Sequence, residues 1–235
     1  FLLFQVRNAD DPMRRNEVQA FARALQTEPE RIAVVDLLSE RADEHDFQRA
    51  DMFLFGGSGH YSAAGEGKWL QAALDLMREI HRLAKPTFAS CWGFQAMARA
   101  LGGRVVHDLE RAELGTRVLY LTDEGRRDPV FGPLGPSFLA HMGHEDRVAE
   151  LPAGATRLAF TPLVDHQAYR IEGRPIYCTQ FHPELNREDL LARVRSYPEY
   201  VEKIAGVTID EFAATIQDTP QAATLLKRFV ETVFG

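Results

Sequence analysis

Short apolar runs alternate with longer amphipathic stretches along the first half of the chain. The apolar runs predict buried strands at residues 1–6, 31–38, 51–55 and 86–90. The amphipathic stretches predict helices at residues 13–26, 65–84 and 92–101. Because strands that alternate with helices of this length form parallel sheets, this half predicts an α/β fold with helices on both faces of the sheet.

The second half of the chain has a different pattern. Turn residues separate short β-like runs at residues 104–107, 117–121, 156–160, 168–172 and 176–181. Such closely spaced runs predict an antiparallel extension of the sheet, closed by one more strand. The whole pattern therefore predicts a flavodoxin-like, three-layer α/β/α fold whose central sheet is mixed and mostly parallel.

The last segment of the chain is helical in pattern throughout, with breaks at proline and glycine residues. We interpret residues 1–186 as one domain and residues 187–235 as a helical extension packed on it. The charged residues at 187–189 and 199–203 predict solvent-facing helix surfaces.

Composition and charge narrow the possible functions. The 235 residues include 34 acidic and 27 basic side chains, a net charge of −7, which disfavours nucleic acid as the main partner. No apolar run approaches the ~18–20 residues that a membrane span needs, and the first six residues do not have the pattern of a signal peptide. Only two cysteines occur, Cys91 and Cys178, which indicates the reducing cytoplasm.

The first candidate for chemistry is Cys91, which lies between a predicted strand and a helix that begins at Trp92. A residue in such a sharp turn projects its side chain out of the sheet, as a nucleophile elbow does. The turn is crowded, and the small residues Ala89 and Gly93 suit it. The helix dipole beside the sulfur favours the reactive thiolate. A buried structural cysteine is the alternative, since free cysteines are often buried.

The second candidate is the segment that contains His182, Pro183 and Glu184, directly after an apolar run. Ligand sites in open α/β sheets lie at this carboxyl edge of the strands. Residues two apart in extended backbone point the same way, so His182 and Glu184 share a face, and Pro183 favours that conformation. A histidine oriented by a carboxylate is the base that a thiol nucleophile needs. A loop with a surface histidine is the alternative.

The third candidate is the glycine-rich segment at residues 55–61, which follows a predicted strand. Glycines let backbone N–H groups approach a ligand closely, so an N–H here and that of Trp92 would form an oxyanion hole. A phosphate-binding loop is disfavoured, because no Gly-Lys-Ser/Thr sequence follows. A plain tight turn is the other interpretation.

Together and in this order, the three segments resemble the class I glutamine amidotransferase family, whose triad is Cys-His-Glu. The resemblance spans residues 1–184 and is strongest to glutaminase domains of the GMP synthase type. Residues 141–148 are similar to a segment near the glutamine site of those domains. The resemblance implies that Cys91 is the nucleophile, that His182 is the general base and then the acid, and that Glu184 is the orienting carboxylate.

The resemblance also implies a set of substrate-binding residues. Backbone N–H groups of Gly57 and Trp92 would bind the oxyanion, and the residues expected to shape the pocket or contact the amino-acid part of glutamine are Gly59, Gln95, Glu145 and Asp146. Two residues depart from the family pattern. Ala89 stands where glycine is usual, and Ser58 stands where the loop usually has proline.

The expected reaction is hydrolysis of glutamine through a γ-glutamyl thioester on Cys91, with ammonia passed to a separate synthetase partner if there is one. We expect no cofactor and no metal, because His141 and His144 lack further ligands at zinc spacing. Two alternatives stay open. One is a γ-glutamyl hydrolase that acts on peptides or amides, and the other is a non-catalytic regulatory or binding relative.

Overall fold

A nine-stranded sheet forms the centre of the computed structural model, which describes residues 1–235. The strands of this sheet and of a small second sheet are β1 (Leu2–Val6), β2 (Ala33–Asp36), β3 (Phe53–Ser58), β4 (Thr87–Ser90), β5 (Arg104–His107), β6 (Glu113–Leu121), β7 (Ser137–His144), β8 (Asp146–Glu150), β9 (Ala155–Phe160), β10 (Ala168–Ile171) and β11 (Ile176–Thr179). The order in the large sheet is β2-β1-β3-β4-β11-β10-β9-β6-β7. Pairing is parallel from β2 to β11 and antiparallel beyond it. This architecture confirms the predicted flavodoxin-like fold with its antiparallel extension.

Helices cover both faces of the sheet. They are α1 (Met13–Leu25), α2 (Glu44–Arg49), α3 (Lys68–Arg82), α4 (Trp92–Ala100), α5 (Asp123–Arg127), α6 (Arg187–Ser196), α7 (Pro198–Tyr200), α8 (Ile209–Thr215) and α9 (Leu225–Phe234). None of them combines the length and the apolar composition that a membrane crossing requires.

The apolar runs of the parallel strands follow from burial on both faces. Leu2 and Leu3 are adjacent in β1 and both fully buried, yet they belong to different core clusters, one on each side of the sheet. Successive side chains of a strand point to opposite faces, so a strand covered on both sides is apolar at most of its positions. The buried polar residues of these strands, such as Gln5 and Thr87, are hydrogen-bonded.

Two predictions for the second half were wrong or incomplete. The strand at residues 104–107 does not join the antiparallel extension; it is β5, which pairs with β8 in a separate two-stranded sheet. Strands β7 and β8 were not predicted. The physical reason is that β7 buries the polar residues His141 and His144, so it lacks the apolar pattern of a core strand.

The C-terminal helices pack against the rest of the chain on two sides. Helix α9 contributes three fully buried residues, Leu225, Leu226 and Phe229, to one of the two main core clusters. Helices α6 and α8 form a third cluster with Leu114 of β6. The prediction of a solvent-facing surface at residues 187–189 is wrong for Asp189, which is buried and bound by Arg23 and Asn16 of α1.

Candidate active site

Three neighbouring strand ends bring the predicted catalytic segments together. Strand β4 lies between β3 and β11, with Ala89 paired to Phe55 on one side and Ser90 paired to Thr179 on the other. Because all three strands are parallel, their carboxyl ends meet at one edge of the sheet. Cys91 and His182 are far apart in sequence but follow these ends directly.

The backbone at Cys91 forms a strained strand-to-helix turn. Cys91 is the N-cap of α4 and has φ 51° and ψ −102°, a left-handed region that non-glycine residues rarely adopt. The turn brings α4 so close to β3 that a Cβ at Gly93 would meet the Cβ of Phe55 at 2.4 Å and that of Ala89 at 3.1 Å. The small residues around the predicted elbow are therefore required by close packing.

His182 lies between the Cys91 thiol and the Glu184 carboxylate. Its Nδ1 is 2.6 Å from Oε1 of Glu184, and the Cys91 thiol is close enough to the same imidazole to raise its pKa. The backbone N–H of His182 donates to the carbonyl of His141 at 2.9 Å, which holds the segment against β7. All three side chains of the predicted triad are buried.

Charge coupling within this group favours a protonated imidazole. Burial alone lowers the pKa of His182, but the Glu184 carboxylate and the Cys91 thiol reverse that effect and raise it to about 9. Burial would raise the pKa of Glu184, yet the charges of His182 and Arg193 hold it below its ordinary value. The site is thus arranged to keep a proton on His182 beside an ionised carboxylate.

Arg193 of α6 is a residue near the triad that the sequence patterns did not single out. Its Nη1 lies 3.4 Å from Nδ1 of His182, and its Nη2 lies 3.9 Å from Glu184 and 3.8 Å from the buried Glu17. Arg193 shares a helix face with Leu190, three positions earlier, and that residue is buried. A charged residue on an apolar helix face was the available signal.

Two cavities meet at Cys91. The larger one, about 200 Å³, is lined mainly by polar residues and includes four of the predicted substrate-binding residues, namely Trp92, Gln95, Glu145 and Asp146. The smaller one, about 60 Å³, is bounded by His182, Gly57 and several aliphatic side chains. Cys91 and Gly143 border both, and the Cys91 thiol donates to the Gly143 carbonyl at 3.6 Å.

The polar cavity is held open by a hydrogen-bonded network. Gln95 donates to the carbonyl of Asp146 at 2.8 Å and to Oε1 of Gln180 at 3.1 Å. The Asp146 carboxylate is bound by Ser62 and lies 2.9 Å from Nδ1 of His107. Side chains held in this way provide fixed carbonyl, carboxylate and amide groups to a ligand.

Gly57 and Gly59, both predicted to shape the site, have different positions. A Cβ at Gly57 would meet Cε1 of His182 at 3.0 Å, so glycine is what lets β3 approach the imidazole. Gly59 lines neither cavity. It supports the aromatic residues of the rim instead, because its carbonyl accepts a hydrogen bond from the Tyr200 hydroxyl at 3.1 Å and a Cβ there would crowd Tyr197.

One group of side chains outside the site has metal-like spacing. It consists of Asp43, His45 and Asp46, at the exposed start of α2. Asp43 and Asp46 cap that helix through reciprocal side-chain bonds to backbone N–H groups. Helix capping accounts for this arrangement.

Both the sequence and the fold of this chain are similar to those of known proteins. The family model described as glutamine amidotransferase class-I matches residues 16–190. Gamma-glutamyl peptidase 3 of Arabidopsis thaliana is 30% identical over 186 residues, which cover 77% of this chain and 71% of that protein. The glutamine-hydrolysing GMP synthase of a Nitratiruptor species is 33% identical over 138 residues, 56% of this chain but only 25% of that protein.

Solved structures agree with the fold. A glutamine amidotransferase from Thermotoga maritima superposes with a TM-score of 0.77 at 19% identity, covering 98% of this chain and 96% of that one. A glutamine amidotransferase from Methylobacillus flagellatus gives a TM-score of 0.72 at 16% identity, covering 98% and 93%. With a family model that matches most of its length, the chain belongs to the class-I glutamine amidotransferase family.

Proposed function

We propose that this protein is a cysteine hydrolase of γ-glutamyl amide bonds, with glutamine as its simplest substrate. The observation that carries the proposal is the position of Cys91, a strained residue between a buried His182–Glu184 pair and a polar cavity. A nucleophile, a base oriented by a carboxylate and a polar pocket are the parts that covalent amide hydrolysis requires.

The reaction begins with the thiol proton already on His182, and the Cys91 sulfur attacks the side-chain amide carbon. The C–S bond forms as the carbonyl becomes an oxyanion, for which the N–H groups of Trp92 and Gly57 are the proposed donors. The C–N bond then breaks, and the proton on His182 goes to the departing nitrogen. A γ-glutamyl thioester remains on Cys91.

The second half releases glutamate. His182 takes a proton from water, the resulting hydroxide attacks the thioester carbonyl, and the C–S bond breaks with the proton retained on His182, which restores the starting state. Glu184 holds the imidazole in orientation throughout and balances its charge. The polar groups of Gln95, Glu145 and Asp146 are proposed to bind the α-amino and α-carboxyl groups of the γ-glutamyl part.

A γ-glutamyl peptidase is the second candidate. The relative with that name in Arabidopsis thaliana aligns with this chain over 71% of its length, whereas the GMP synthase of the Nitratiruptor species aligns over only 25% of its own. The longer alignment supports the peptidase as an alternative to a glutaminase. If ammonia is the product, we propose that a synthetase partner in the cytoplasm accepts it.

Labelling with 6-diazo-5-oxo-norleucine, followed by mass spectrometry, tests the catalytic proposal. We expect a single adduct on Cys91 and no adduct in the Cys91→Ser variant. The Cys178→Ser variant is the matched control, because it removes the other cysteine and should label normally. Absence of the Cys91 adduct, in the isolated protein and in host extract, would contradict the proposal.

Affinity capture tests the synthetase partner. The Cys91→Ser variant, used as bait in native host extract with glutamine present, should retain an ATP-dependent synthetase if ammonia is passed on. A fully active isolated chain that retains no synthetase would instead indicate a stand-alone hydrolase.

A further inference from the structure

The two cavities beside Cys91 differ in chemistry. The larger cavity presents carboxylate, amide and imidazole groups. The smaller cavity has walls that include four aliphatic side chains, and these are Leu114, Leu185, Leu190 and Val194. Both open on the same sulfur, so a substrate bound at Cys91 faces a polar environment on one side and an apolar environment on the other.

The position of His182 assigns each cavity to one end of the substrate. Protonation of the departing nitrogen requires that this nitrogen lie next to the imidazole. His182 lines the smaller cavity and not the larger one. Any substituent on the departing nitrogen therefore extends into the smaller cavity, and the γ-glutamyl part takes the larger, polar one.

The charges near the smaller cavity disfavour an anionic leaving group. Arg7 and Arg193 line it, but Arg7 is already bound to Asp11 and Glu17, and Arg193 lies close to Glu17 and Glu184. Counting the protonated imidazole of His182, three cationic groups face three carboxylates, and each cation lies within 4 Å of a carboxylate. A further carboxylate would add negative charge to a group whose charges are already balanced.

The size of the smaller cavity limits the substituent. Its volume of about 60 Å³ has room for about two water molecules at ~30 Å³ each. That space suits a compact alkyl group and is larger than ammonia needs. Aliphatic walls favour such a group because burying each methylene is worth about a fourfold change in affinity.

We propose that the smaller cavity is a leaving-group site for neutral amines with a compact alkyl substituent, so that γ-glutamyl alkylamides are better substrates than glutamine. The inference rests on the proposed function and deepens it, since it names the part of the substrate that lies beyond the scissile bond. Val194, buried on α6, is one wall of this site.

Glutamate release from a substrate series tests the inference. We expect kcat/KM for γ-glutamylethylamide to exceed that for glutamine by about tenfold. Each of the two buried carbons is worth roughly fourfold, and an imperfect fit in the cavity reduces the product. γ-Glutamylmethylamide should be intermediate. γ-Glutamylglycine, which carries a carboxylate in the leaving group, should be poorer than the ethylamide.

Two substitutions at Val194 change the cavity in opposite directions. Val194→Phe fills it and should reduce the ethylamide-to-glutamine ratio to about one. Val194→Ala enlarges it and should move the preference towards γ-glutamylisobutylamide. The test therefore does not depend on whether the Val194→Phe variant folds. Val207→Phe, at an exposed position, is the matched control and should leave the ratio unchanged.

Three results would overturn the inference. The first is a preference for glutamine over every alkylamide, which is expected of a cavity that only conducts ammonia. The second is an ethylamide-to-glutamine ratio of kcat/KM that neither Val194 substitution changes. The third is faster cleavage of γ-glutamylglycine than of γ-glutamylethylamide. In each of these cases glutamate is still released and the proposed function stands. If no substrate yields glutamate and 6-diazo-5-oxo-norleucine does not label Cys91, the proposed function itself is wrong.

Discussion

The elbow at Cys91 depends on the absence of a side chain at a neighbouring position. The left-handed backbone at Cys91 costs on the order of 1–3 kcal/mol, which the surrounding packing must offset. That packing is tight at Gly93, where a Cβ would lie 2.4 Å from the Cβ of Phe55. The small residue at position 93 is therefore as much a sequence signal for the elbow as the cysteine itself.

Adding one methyl group tests this account. We expect Gly93→Ala to lower the free energy of unfolding by about 1–3 kcal/mol, because α4 and β3 must separate. Gly143→Ala is the matched control, since a Cβ there would meet only Leu114, at an ordinary distance of 3.7 Å. Urea denaturation measures both; equal stability of the two variants would contradict the packing argument.

The charge on His182 depends on the carboxylate beside it. Because Glu184 helps to raise the pKa of His182 to about 9, we expect kcat/KM to fall at alkaline pH with a midpoint near 9, as the proton for the leaving nitrogen is lost. Glu184→Gln should move that midpoint lower and reduce kcat/KM by about 10²–10⁴-fold. Glu188→Gln, at an exposed carboxylate, should change neither. An unmoved midpoint in Glu184→Gln would exclude the proposed coupling.

At the scale of elements, the C-terminal helices have two separate tasks. Helix α6 brings Arg193 to the triad and Val194 to the smaller cavity, so this segment completes the candidate site. Helix α9 instead covers another part of the sheet, where Phe229 packs against Phe88 and Tyr177 with ring centroids 5.7 and 5.5 Å apart. The segment after residue 186 is structurally part of the core.

The contribution of α9 can be measured with two phenylalanines of the same helix. Phe229→Ala removes a fully buried ring and should destabilise the protein by about 3–5 kcal/mol. Phe234 is about half exposed, so Phe234→Ala should lower the free energy of unfolding by less than about 1 kcal/mol. Similar losses in the two variants would mean that α9 does not pack as described.

At the scale of the whole molecule, the buried triad makes folding stability depend on pH. The pKa of His182 is raised from its ordinary value of 6.5 to about 9 in the folded state. The folded protein therefore binds this proton more tightly than the unfolded chain does. The stabilisation is fully present below about pH 6.5 and is lost as the pH rises through about 9.

Denaturation at several pH values tests this linkage. We expect the free energy of unfolding to fall between pH 6.5 and 9, and to fall less in the Glu184→Gln variant, in which the pKa of His182 is closer to its unfolded value. A fall of the same size in both proteins would show that other groups cause it.

Much of the fold could be predicted from the chain because its signals are local. Full burial on both faces makes β1 and the first half of β3 largely apolar, and the alternation of such runs with amphipathic helices indicates a parallel sheet. Strand β7 escaped prediction because its burial of His141 and His144 depends on partners that no local pattern describes. Local patterns also do not specify which strands pair with each other, as the pairing of β5 with β8 in a separate sheet illustrates.

The sequence by itself determined the chemical groups of the site and their order: a cysteine at a strand-to-helix junction, a histidine two residues before a carboxylate, and a glycine loop. These are local features, and residue type and spacing specify them. Only the tertiary structure decided that Arg193 of α6 lies beside the triad, that Gly59 is outside both cavities, and that a second, apolar cavity opens at Cys91. The reason is physical: cavities and buried charge clusters arise where separate elements pack, and that contact is not encoded in any one segment.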